Sequence, residues 1–100
     1  MTATATLTKS SGNVFEDLGF DKEEAANLKI RSRLMMSLED YIEREGLTQA
    51  EAAERLGVTQ PRISDLVRGK IDLFSIDMLI NLHARAGLRV RLEVVGAGEA

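Results

Sequence analysis

The chain of 100 residues has no cysteine and no tryptophan, one proline and one histidine. Without cysteine there can be no disulfide framework, no thiol catalysis and no thiolate zinc site. That usage suits a reducing cytosol. The lone histidine, His83, excludes a His-rich metal site and any His pair. Aromatic residues make up only 4%, so broad stacking platforms for RNA or single strands are poorly supplied. No apolar run approaches the ~20 residues of a membrane span. Residues 1–11 contain no apolar stretch of signal-peptide length. There is also no surplus of positive charge. Lys and Arg number 13 against 16 Asp and Glu, a net charge of −3, which at first sight opposes a nucleic-acid partner. What is present, 44% hydrophobic and 29% charged residues in one domain's length, describes a soluble globule.

Residues 1–13 are small and polar and read as a flexible lead. Val14, Phe15, Leu18 and Phe20 form an apolar cluster that should pack on something. Asp21 and Glu24 have the spacing of a helix N-cap and its partner. Ile30, Leu34, Leu38 and Ile42 then step by four, giving one helical stripe that ends near Gly46. Some 25 residues is long for one helix in a small domain, which leaves open a break near Leu28–Ser32. Met35 and Met36 suit core gaps. Glu39, Asp40, Glu43 and Glu45 read as a solvated face.

Thr48 with Glu51 is a capping box for a short helix carrying Ala50, Ala52, Ala53 and Leu56. Gly57 ends it. Thr59 caps the next helix, with Pro61 in its first turn, where the missing N–H costs nothing. Ile63, Leu66 and Val67 give this helix its apolar stripe, and Gly69 closes it. Residues 70–74 connect to a helix capped by Ser75, with Ile76, Leu79, Ile80 and His83 on one face. A packing or surface role fits His83, which has no partner for catalysis. After Gly87 the period changes to two. Leu88, Val90, Leu92 and Val94 alternate with Arg89, Arg91 and Glu93, a half-buried strand over 88–95. Residues 96–100 should fray.

Two short helices joined by a three- or four-residue turn containing Gly make a helix-turn-helix over 47–69. Ala52 and Ala53 allow the steep crossing, and Val58, Ile63 and Leu66 seal the pair. The outward positions left on the second helix are Thr59, Gln60, Arg62, Ser64 and Asp65. Such residues can reach base edges in a major groove.

Residues 47–69 resemble the phage-repressor-like (XRE) helix-turn-helix family. The shared positions are Leu47, Thr48, Gln49, Ala53, Leu56, Gly57, Val58, Thr59, Gln60, Ile63, Ser64, Leu66 and Gly69. Asn13–Phe20 before a long helix and Phe74–Ile76 after the motif are similar to HigA-like antitoxins. The resemblance implies a mainly all-α, lambda-repressor-like domain over 14–95, with four or five helices and a C-terminal strand. It implies Thr48, Gln49, Arg68 and Lys70 at DNA phosphates, and Gln60 as leading base reader beside Thr59, Arg62, Ser64 and Asp65. Asp65 departs from the basic or neutral residue common there, and Val67 replaces a polar one. Asp65 could accept from a cytosine amino group or repel phosphate.

The expected function is therefore a sequence-specific repressor on double-stranded DNA, in the cytoplasm and without membrane contact. The alternative is an antitoxin that neutralises a basic RelE-like toxin and represses its own operon. No nucleophile–base pair, phosphate loop or metal cluster supports an enzyme, and no cofactor is expected. A lone strand after four helices needs a partner. Leu88, Val90, Leu92 and Val94 are thus the expected homodimer interface, unless the strand packs on its own chain near 14–20. The charge count also divides. Residues 1–58 carry a balance of −4, residues 59–91 one of +3, and the last nine −2. The acidity of the whole conceals a basic recognition half.

Overall fold

The computed structural model describes residues 4–7, as backbone, and 14–96. Its elements run β1 (Thr4–Leu7), α1 (Val14–Asp17), α2 (Lys22–Arg44), α3 (Gln49–Leu56), α4 (Gln60–Val67), a 3-10 turn (Ile71–Leu73), α5 (Ile76–Arg85) and β2 (Arg89–Leu92). The mainly helical class and the C-terminal strand agree with the sequence reading.

The long helix α2 is unbroken through 28–32. Asp21 caps it, its Oδ1 accepting from the Glu24 N–H at 2.8 Å. Length is supported by a buried stripe, not by propensity alone: Leu28, Leu34, Met35, Leu38, Tyr41 and Ile42 all leave solvent. The other helices gather on that stripe. Ala52, Ala53 and Leu56 of α3, Ile63 and Leu66 of α4, Phe74, Leu79 and Leu82 complete one core. Full burial of a Leu or Ile side chain stabilises by about 1.5–3 kcal/mol, so the fully buried Leu34, Leu38, Leu56, Ile63, Leu66 and Leu79 dominate the favourable terms. Met36 is exposed instead of filling a core gap.

Three expectations are corrected. Residues 4–7 are not part of a flexible lead: they form β1, and the rest of 1–13 lies outside the described residues. The C-terminal strand is not alone. It pairs in parallel with β1, Thr4 against Arg89 through Leu7 against Leu92, and its ladder is shorter than 88–95. The two segments meet because an amphipathic strand offers an open row of backbone donors and acceptors along each edge, and β1 satisfies one of them. The cluster at 14–20 packs only partly. Phe15 and Phe20 meet edge to face with ring centroids 6.2 Å apart, but Val14 and Leu18 stay 61% and 69% exposed. Residues 97–100 of the expected frayed tail lie outside the described residues.

Candidate nucleic-acid interface

The recognition unit is built by caps and small side chains. Thr48 Oγ1 accepts from the Glu51 N–H at 3.1 Å, and Glu51 Oε1 accepts from the Thr48 N–H at 2.9 Å. Hydrogen bonds to the carboxylate from the Thr48 backbone N–H, first, and from the Thr48 hydroxyl hold the Glu51 carboxyl below its ordinary pKa. Ala52 and Ala53 are buried in the core that α3 shares with α4, where larger side chains would need room the packing does not leave. Gly57 ends α3 in the left-handed region at φ 68°, which an L side chain rarely adopts. The Arg85 guanidinium closes this turn from outside, donating to the Leu56 carbonyl at 3.1 Å. A cation at a helix C-terminus is favourable for the backbone dipole as well.

Thr59 starts α4, its side chain accepting from the Arg62 N–H at 3.3 Å. Burying Ile63 and Leu66 turns the opposite surface of this helix outward. Thr59 and Gln60 are exposed at its first turn, beside Pro61. The Gln60 amide makes no hydrogen bond to another described residue. Ser64 and Asp65 are half-buried further along, and Arg68 is exposed just past the end. Val67 is partly buried against the core, so the apolar face is wider than a polar residue there would allow.

Two expected DNA contacts are already engaged within the chain. Arg62 is not a free guanidinium awaiting a base. It donates to the Leu73 carbonyl at 3.0 Å and lies 5.3 Å over the Phe74 ring. Both contacts tie α4 to the 3-10 turn. Lys70 Nζ lies 3.7 Å from Asp65 Oδ1, so an acid and a base on this surface offset each other. At the start of α3, Thr48 is exposed and Gln49 half-buried. Thr48 is occupied by its cap, so only the hydroxyl's remaining capacity is available to a phosphate. Of the strand residues, Leu88 is inside its own chain's core and Val90 is packed against it. Leu92 and Val94 are exposed.

Sequence reasoning missed the arginines that brace the unit. Arg31 on α2 donates to the Ile71 carbonyl at 3.0 Å and reaches Phe74 O at 3.4 Å, with Asn27 Oδ1 2.6 Å from its Nε. Arg31, Arg62 and Arg85 each bond backbone carbonyls remote in sequence, a role with no periodic signal. His83 is fully buried, its Nδ1–H donating to the Leu79 carbonyl at 2.7 Å. Its Nε2 has no partner among the described residues, and burial holds its pKa below the usual histidine value.

No group of three or more His, Cys, Asp or Glu among the described residues could hold a metal ion. No helix among them is long and apolar enough to cross a membrane.

The comparisons agree with this geometry. A family model described as a helix-turn-helix domain matches residues 14–95. A solved structure described as an XRE family transcriptional regulator is similar at 32% identity with a TM-score of 0.70, covering 77% of this chain and 89% of that one. None of the curated proteins matches. With a capped α3, a left-handed glycine turn and an outward-facing α4 in that frame, the chain belongs to the helix-turn-helix family of XRE-type, DNA-binding transcriptional regulators.

Proposed function

We propose that the protein is a cytoplasmic, sequence-specific repressor that binds double-stranded DNA as a homodimer and performs no catalysis. The N-terminal turn of α4 enters the major groove, with Gln60 as leading base reader and Thr59, Ser64 and Asp65 beside it. Gln suits adenine, to which it can bond bidentately. Thr48, Gln49, Arg68 and Lys70 contact phosphate. Arg62 holds α4 in place from behind. The observation that carries this reading is the exposed, unengaged Gln60 amide at the start of a helix rigidly seated by Ile63 and Leu66. Two copies would contact half-sites about one helical turn apart, ~34 Å, on a partly palindromic operator.

Selection of binding sites from random or genomic duplex DNA with the purified protein tests it. A partly palindromic consensus is expected. Recovery of no sequence preference would defeat the reading.

One surface favours a second reading, an antitoxin that also captures a basic RelE-like toxin. Val14, Leu18 and Phe20 are exposed apolar residues lying beside the acidic Glu16 and Asp17. Such a mixed patch suits a protein partner. A small basic protein encoded in the adjacent reading frame and co-purifying with this chain would support it.

A further inference from the structure

β2 has a second edge. Its partner among the described residues is β1, which covers one side. Outside that ladder, no hydrogen bond joins residues 89–96 to another described residue. An edge of this kind offers an unsatisfied row of N–H and C=O groups to another strand. The side chains add direction. Leu88 and Val90 face the core, and Leu92 and Val94 continue the same face beyond it, 55% and 94% exposed. Arg89, Arg91 and Glu93 occupy the opposite face, all exposed. The alternation continues past Leu92, where the pairing with β1 stops.

We propose that this edge pairs antiparallel with the same edge of a second copy, in the register that sets Leu92 opposite Leu92 of the partner subunit. The proposal rests on the reading of a dimeric DNA-binding regulator and specifies how the dimer is joined. Symmetry and charge select the register. A two-fold axis passing between residues would set apolar side chains opposite charged ones. An axis at Val90 sets Arg89 against Arg91 twice. An axis at Arg91 sets two guanidinium groups face to face, and one at Glu93 sets two carboxylates together. An axis at Leu92 leaves no like charges opposed. It pairs Arg91 with the partner's Glu93, and Glu93 with the partner's Arg91. On the other face it lays Val94 beside the partner's Val90. The exposed apolar strip of each copy is then covered by the other, and the two cores become continuous across a four-stranded sheet.

The native chain has no cysteine, so single cysteines report the register directly. Directly opposed residues in an antiparallel pair have Cα atoms about 4.5–5.5 Å apart, within disulfide range, and diagonal neighbours about 7–8 Å, outside it. Under mild oxidation Leu92→Cys is expected to form a cross-linked dimer well ahead of Arg91→Cys and Glu93→Cys. Faster cross-linking at either flanking position would overturn the register. Equal rates at all three would overturn the ladder. Sedimentation gives an independent measure. Arg91→Glu or Glu93→Arg alone is expected to raise the dimer dissociation constant about tenfold, because two attractive pairs become repulsive. The double variant Arg91→Glu/Glu93→Arg is expected to return it to the native value, and failure to do so would overturn the pairing. Operator binding is followed in parallel. A native protein that stays monomeric at submillimolar concentration yet binds its operator overturns the ladder alone. A cross-linked dimer that selects no operator overturns the DNA-binding reading and leaves the ladder standing.

Discussion

Gln60 stands in the first turn of α4 with its amide exposed, while its neighbour Arg62 is drawn inward to Leu73 and Phe74. The two residues therefore predict different phenotypes. Gln60→Ala should weaken specific binding by about 1–3 kcal/mol and relax choice at one base position, with thermal stability unchanged. Arg62→Ala should lower stability and weaken binding to all sequences alike. Fluorescence anisotropy on matched and mismatched operators, paired with denaturation curves, separates them. His83 makes a third prediction at this scale. Burial holds its folded-state pKa down, whereas the unfolded chain takes up a proton near pH 6.5. Stability is thus fully present above that pH and falls as the pH drops through it, until the depressed folded value is reached. The urea midpoint should fall between pH 7.5 and 5.5, and His83→Leu should flatten that slope. An unchanged slope in the variant would remove His83 as the cause.

At the scale of elements, α3 is short enough to depend on its ends. Thr48→Ala removes the acceptor for the Glu51 N–H and should cost about 1 kcal/mol, measured by chemical denaturation. Gly57→Ala should cost more than a typical surface change. The backbone there is at φ 68°, and an added Cβ would lie 3.5 Å from the Arg85 guanidinium. Elements whose cause is local could be read from the chain before its structure. The Thr48–Glu51 box, the four-residue steps of α2 and the Thr59–Pro61 start are signals within one turn. So was the outward placement of the candidate readers, since Gln60 and Thr59 are exposed wherever Ile63 and Leu66 are buried. β1 was passed over although Thr4–Leu7 alternates Thr with Ala and Leu: the run is only four residues of mostly small side chains, and the partner that holds it, residues 89–92, is remote in sequence. The engagement of Arg62 and the bracing by Arg31 and Arg85 depend likewise on carbonyls remote in sequence. Leu88 looked like an interface residue because period two says which side chains share a face, not which of them the chain's own helices cover.

For the whole molecule, the net charge of −3 is a poor guide to the DNA surface. Asp65 offsets Lys70, so in the proposed dimer each protomer would bring little more than Arg68 and the shared Lys70 to the phosphates. About four released counterions for a dimer give a slope of log affinity against log salt of about −4. Arg68→Ala should reduce its magnitude by about 2, with sequence preference retained. A slope unaffected by this change would place the phosphate contacts elsewhere.

The β1–β2 ladder has a temporal consequence. It joins residue 4 to residue 89, whereas α2 through α5 make their contacts within the intervening stretch. Closing so long a loop is entropically unfavourable until the helices have already brought the ends near each other. The helical unit can therefore form before the two strands meet, and the sheet is the last part of the fold to close. Any surface that depends on the β1–β2 pairing matures only after α4 is already seated in its core.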